Sequence, residues 1–149
     1  MPSGSLPRLT ETRIAHYFQL AKNACQYSDN KRARLGSVIV YKNKILSIGW
    51  NVENKTNPLQ QEYNRLRDYG GVDVRFTKSS LHAEFSAMLK IKNMDIDFGR
   101  VHLFVYRERK DGSIGYARPC EACMGFAKAL GIKNIYYTTN SGWAYERIE

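Results

Sequence analysis

Leu81-His82-Ala83-Glu84 and Arg118-Pro119-Cys120-Glu121-Ala122-Cys123 are the two stretches on which the reading of this chain turns. One imidazole and two thiolates form the donor set of a zinc ion that keeps its fourth tetrahedral position for water. A zinc held in this way lowers the pKa of its water toward neutrality. Glu84, two residues past the His, is placed to move protons and not to coordinate. Each stretch alone says little: a C-x-x-C also serves as a redox pair or as half of a structural zinc site. Their order, the Pro directly before the first Cys and the 38-residue separation of His82 and Cys120 make a stronger pattern. A closed structural site needs a fourth Cys or His, and the sequence offers none close to either stretch.

The order H-x-E then P-C-x-x-C is the signature of the zinc nucleobase deaminases. At these residues the chain resembles the cytidine deaminase-like superfamily. That group includes deoxycytidylate deaminases, free-nucleoside cytidine deaminases, tRNA adenosine deaminases and nucleic-acid cytidine deaminases. The resemblance runs over roughly residues 10 to 138. It implies Zn2+ bound by His82, Cys120 and Cys123, Glu84 as proton shuttle, and Ala83 among the substrate contacts. It also implies hydrolytic removal of an exocyclic amine. The expected fold is a three-layer α/β/α, cytidine deaminase-like domain with a mixed sheet of about five strands.

Composition sets the frame. With 149 residues, the chain is read as a single domain, 1–149, able to bury a sizeable core. A hydrophobic share of 43% and a charged share of 25% are ordinary for a globular chain. No apolar run has the length to cross a bilayer, and the first residues lack a signal-peptide layout, so a cytoplasmic location is expected. Two of the three cysteines lie in the motif. The third, Cys25, reads as a small core residue in a reducing compartment. A net charge of +9 suits phosphorylated or polyanionic partners, or is simply a solvated basic surface. Assembly into a homo-oligomer stays open.

In chain order, residues 1–9 read as a flexible terminus. Thr10 can cap a helix whose apolar positions are Ile14, Phe18, Ala21 and Cys25, ending near Tyr27 or Ser28. Gly36–Val40 and Ile45–Trp50 read as strands joined by a turn at Tyr41–Lys44. Next comes Gly49-Trp50-Asn51-Val52-Glu53-Asn54. The resemblance puts the Asn51 amide beside the sugar, and its Asn-x-Glu-Asn form is similar to free-nucleoside cytidine deaminases, where the Asn and Glu both meet the ribose hydroxyl. Asn51 and Glu53 can also be plain turn residues.

Residues 55–80 read as an insertion that borders the pocket, since it leads directly into His82. It has a helix-like part, Gln60 to Tyr69. It interleaves cations and aromatics at Tyr63, Arg65, Arg67, Tyr69, Arg75, Phe76 and Lys78. Three roles are open: a surface for single-stranded nucleic acid, a lid over one nucleotide, or a subunit interface.

A helix is expected from Ser79 or Ser80 as cap, running about His82 to Lys92. A central strand follows at Val101–Tyr106, with His102 as a satisfied sheet histidine. Arg107–Arg118 reads as a basic loop, which the resemblance places over the substrate, and in it Arg118 either forks onto a substrate phosphate or is solvated. A helix from Cys120 to about Leu130 stops at Gly131. Lys133–Thr139 and Trp143–Ile148 read as strands, and an antiparallel last pair resembles free-nucleoside deaminases more than tRNA adenosine deaminases. Cytosine is therefore the expected base, carried by a nucleoside, a nucleotide or single-stranded nucleic acid. The alternatives are a tRNA-type adenosine deaminase, a nucleic-acid-binding module with a structural zinc, and a redox dithiol protein. Glu84 separates the enzyme readings from the structural-zinc module, which has no use for it, and a redox dithiol protein would show reversible Cys120–Cys123 oxidation and no tightly held zinc.

Overall fold

A computed structural model of the chain describes residues 9–30, 33–52, 58–63 and 81–148, without the side chains of 61 and 63. The expected flexible terminus, Glu53 and most of the 55–80 insertion lie outside these residues. So do its Arg65, Arg67, Tyr69, Arg75, Phe76 and Lys78, and the two serines proposed as caps.

Helix α1 spans Glu11–Cys25. It starts where expected: the Thr10 hydroxyl oxygen accepts from the Arg13 N–H at 3.2 Å, satisfying an amide that has no partner within the helix. Strands β1 (Ala33–Tyr41) and β2 (Lys44–Trp50) form a hairpin. Its two-residue loop, Lys42 and Asn43, has φ of 50° and 63°. Two left-handed residues match the twist of the flanking strands, and Asn accepts that conformation at low cost. Helices α2 (Pro58–Tyr63) and α3 (Ala83–Leu89) follow, then β3 (His102–Arg109), β4 (Ile114–Gly115), α4 (Glu121–Leu130), β5 (Asn134–Thr138) and β6 (Trp143–Arg147). Gly131, at φ 96°, takes the left-handed turn that ends α4.

The sheet order is β2-β1-β3-β5-β6, with β4 on β3. Only β3 and β5 run parallel, His102 opposite Asn134 through Val105 opposite Tyr137. Parallel neighbours need a crossover, and α4 lies in it. Period-two alternation sorts side chains onto two faces. Val38, Val40, Phe104, Tyr106 and Tyr136 pack against Ile14, Phe18, Ala21 and Cys25 of α1. Ile39, Leu103, Val105, Ile135 and Tyr137 pack against Phe85 and Met88 of α3 and Phe126 of α4. The result is the expected three-layer α/β/α arrangement with a mixed sheet.

Three expectations are corrected in detail. The stretch 107–118 is not simply a loop: β3 runs on to Arg109, and β4 pairs back onto it, making a sixth strand. Asp111 holds the turn by accepting from the Ser113 N–H and hydroxyl. Helix α3 is shorter than expected, because His82 stays extended at φ −77°, ψ 147° and the chain turns after Leu89. Helix α1 ends at Cys25, slightly before the expected end near Tyr27 or Ser28. His102 behaves as expected, its Nδ1 3.0 Å from the Tyr136 hydroxyl. Cys25 is buried, its thiol among the carbonyls of Ala21, Arg34 and Tyr106, and burial pushes its pKa up to about 12. Among the described residues no helix is long and apolar enough to cross a membrane.

Candidate active site

The first turns of α3 and α4 meet on one side of the sheet. His82 and Cys120 occupy the cap positions of these helices, both in extended conformation. Neither caps its own helix, because both side chains turn toward each other. His82 Nδ1 lies 3.3 Å from Cys123 Sγ and 3.5 Å from Cys120 Sγ. All three donor atoms fall within 4.8 Å of one another. Zn–S and Zn–N bonds of about 2.3 and 2.0–2.1 Å at a tetrahedral angle put N and S about 3.5–3.6 Å apart. The donor set therefore fits a tetrahedral zinc with little adjustment.

Several contacts bring α3 to that place. Ser47 of β2 donates to the Ala87 carbonyl at 2.8 Å, and Leu81 and Val52 exchange two backbone hydrogen bonds of 3.0 Å just before the helix. Gln60 of α2, fully buried, accepts the His82 N–H through Oε1 at 2.8 Å. The amide oxygen of a residue 22 positions earlier thus satisfies the cap residue's own N–H, the donor that a Glu or Gln at the third helical position would take in a capping box. Sequence reading missed Gln60, since nothing local marks it.

Glu84, in the first turn of α3, is only 4% exposed, and its Oε2 is buried without a hydrogen-bond partner. Burial raises its pKa, against a smaller opposing pull from His82. A desolvated carboxyl with one free oxygen, beside a candidate metal donor set, has the protonation behaviour suited to proton transfer near neutral pH. The Cys120 thiol is held down at about 3, chiefly by a hydrogen bond from Cys123 and then by His82. Cys123 is pushed well above the ordinary thiol range by burial, Cys120 and Glu84. Without a metal, then, one proton stays with the pair, and a divalent cation would displace it.

A cleft of about 480 Å³ opens over this group, lined by His82, Ala83, Glu84 and Cys120 together with Asn51, Arg107, Tyr116 and Arg118. The structure therefore brings Asn51, Ala83 and Arg118 to the metal donors, as the sequence suggests. Asn51 is buried, and its Oδ1 is committed, accepting from Ser28 Oγ at 2.5 Å and Leu35 N at 2.9 Å. Its Nδ2 donates to the Ala33 carbonyl at 3.1 Å, which leaves one amide hydrogen to offer. Arg118 forks onto Glu146 of β6 through Nε at 2.7 Å and Nη2 at 3.0 Å. Arg107 and Tyr116 were not singled out from sequence. The signal was there for Arg107: it continues the Leu103, Val105 alternation onto the α3 and α4 face. A larger hollow of about 650 Å³ shares Asn30 and Ala33 with the cleft, but none of the His, Cys or Glu84 groups line it.

One helix on one face of a mixed sheet, and a His/Cys/Cys set at two helix starts on the other, define a cytidine deaminase-like fold. The likeness to solved structures agrees. The chain is similar to the dCMP deaminase of cyanophage S-TIM5 in complex with dCMP and dUMP, at 21% identity and a TM-score of 0.61, covering 89% of this chain and 85% of that one. It is also similar to the cytidine deaminase of Burkholderia pseudomallei, at 18% identity and a TM-score of 0.58, covering 93% of both chains. A third is the cytidine deaminase of Mycobacterium leprae, at 20% identity and a TM-score of 0.51, covering 89% of this chain and 92% of that one. No curated protein matches the chain. Residues 11–139 match the cytidine and deoxycytidylate deaminase zinc-binding region, and the chain belongs to that family.

Proposed function

We propose that the chain is a zinc-dependent hydrolytic deaminase converting cytosine to uracil on a small nucleoside or nucleotide. One observation carries this reading: the donor trio His82, Cys120 and Cys123 shares a cleft with Glu84, whose carboxyl has one oxygen buried without a hydrogen-bond partner. The bound zinc supplies Lewis acidity that makes a water nucleophilic at neutral pH. Cytosine and water become uracil and ammonia. Glu84 takes the proton from the attacking water and hands it to the ring nitrogen, then to the departing amine. Its raised pKa, caused by burial, lets it hold that proton between transfers. Asn51, its oxygen committed to Ser28 and Leu35, offers only an N–H, which suits the oxygen of a sugar hydroxyl. The antiparallel β5–β6 pair supports cytosine over adenine. On this reading the protein is a one-domain cytoplasmic enzyme of nucleotide metabolism.

The test is mass spectrometry of products. Zinc-loaded protein is incubated with cytidine, deoxycytidine, dCMP, adenosine and single-stranded oligonucleotides. A gain of one mass unit on a free cytosine substrate is expected. Turnover of adenosine alone, or of no substrate by fully zinc-loaded protein, overturns the reading.

A further inference from the structure

Two arginines line the cleft, and they differ in what already holds them. Arg118 is committed to Glu146 by a two-pronged ion pair, and Glu146 is further bonded to Tyr137. Arg107 lies in no ion pair among the described residues, and its Nε is buried with no hydrogen-bond partner. Its stem is fixed. A Cβ on Gly115 would meet Arg107 Cδ at 3.0 Å and Nε at 3.3 Å, so the side chain lies flat across that glycine. Thr138 pins both ends of the contact: its Oγ1 accepts from the Arg107 N–H at 3.1 Å and donates to the Gly115 carbonyl at 2.7 Å.

A guanidinium held this way and left without an acceptor is costly, and an anion offsets the cost best. The only acid lining the cleft among the described residues is Glu84, which the proposed chemistry occupies. We propose that Arg107, and not Arg118, binds the phosphate of a free pyrimidine nucleotide and so selects nucleotide over nucleoside. This rests on the deaminase reading given above. Arg118 then shapes the cleft wall as a neutralised pair with Glu146.

The test compares wild type, Arg107→Gln, Arg107→Lys and Arg118→Gln, each zinc-loaded and checked for folding by circular dichroism. For Arg107→Gln the KM for dCMP should rise about tenfold or more, the effect of one charge-assisted contact, while that for deoxycytidine stays near wild type. Arg107→Lys should fall between, keeping the charge without the fork. Arg118→Gln should move both substrates alike. Calorimetric titration with dUMP and deoxyuridine gives a readout that needs no turnover. Wild type should bind dUMP more tightly, and Arg107→Gln should lose that preference. Equal losses for nucleotide and nucleoside, or a loss of dUMP preference in Arg118→Gln instead, overturn the proposal. So does Arg107-dependent turnover of single-stranded oligodeoxycytidine in preference to dCMP. If neither cytosine substrate is deaminated but the Arg107-dependent dUMP preference holds, the reaction assignment fails and the phosphate site stands.

Discussion

A Cβ placed on Gly49 would stand 2.3 Å from the carbonyl oxygen of Ala83 and 2.7 Å from the Ala87 amide nitrogen. Strand β2 therefore lets the backbone of α3 settle directly on the sheet, and this sets the height of His82 and Glu84 above it. Gly49→Ala forces the helix outward. Overpacking of this kind costs about 1–3 kcal/mol, and the rigid backbone contact puts this position at the upper end. A lowered unfolding midpoint with reduced zinc retention is expected; wild-type stability would contradict the close approach.

Metal content tests the donor set. Purified protein should hold about one zinc per chain, and Cys120→Ala combined with Cys123→Ala should hold almost none. Stoichiometric zinc in that double variant would remove these residues from the site. Chelation of the wild type should abolish activity, and zinc should restore it.

Replacing Glu84 should separate chemistry from folding. Glu84→Gln should lower kcat about 10²-fold or more while zinc and the circular dichroism spectrum stay intact. In the metal-free protein the folded pKa of Glu84 is raised, so its cost to stability is absent at acid pH and appears as pH rises through the ordinary carboxylate range toward the folded value. Metal-free Glu84→Gln should therefore be at least as stable as wild type at neutral pH. Denaturant unfolding checks this, and a large loss of stability would mean the carboxylate is paired.

Gln60→Met keeps roughly the volume of the side chain but removes the acceptor of the His82 N–H. Leaving that amide unpaired should cost about 1–3 kcal/mol, and the loss should be accompanied by weaker zinc retention. Unfolding curves together with competition against a zinc chelator measure both. A change in stability alone would reduce Gln60 to a packing role.

The Arg118–Glu146 pair gives a pH prediction. The Arg118 hydrogen bond holds the Glu146 carboxyl below its ordinary value. A depressed carboxylate stabilises the fold above the unfolded pKa, and that stabilisation is lost as pH falls through the folded one. The two side chains are 39% and 33% exposed, so solvent screening keeps the contribution within about 1 kcal/mol. The stability gap between wild type and Glu146→Gln should be present at neutral pH and shrink as pH falls below the ordinary carboxylate range toward the lowered folded value. A gap that persists in acid would mean the contact acts through packing.

Much of this architecture could be read along the chain. The β-rich runs Val101–Tyr106 and Lys133–Thr139 can be read as strands, and the period of two of any strand then sorts their side chains onto the two faces. The Thr10 cap and the Gly131 stop are local for the same reason. The hairpin within 107–118 was less legible. Its second strand is the two residues Ile114 and Gly115, too short to carry a period, and it exists because β3 offers it an edge.

The candidate donors His82, Cys120 and Cys123, with Glu84 beside them, can be picked out along the chain, because residue type and spacing are enough to nominate a metal-binding trio. Only the tertiary structure decides how the neighbouring groups are employed. Asn51 has lost its oxygen to Ser28 and Leu35, and Gln60 crosses from another helix to hold His82. Arg118 is taken by a Glu146 that lies 28 residues on, while Arg107, equally basic in the sequence, remains without an ion pair among the described residues. A charge is a property of a residue, but its availability depends on which partners the fold brings within hydrogen-bond reach, and those partners lie far away along the chain.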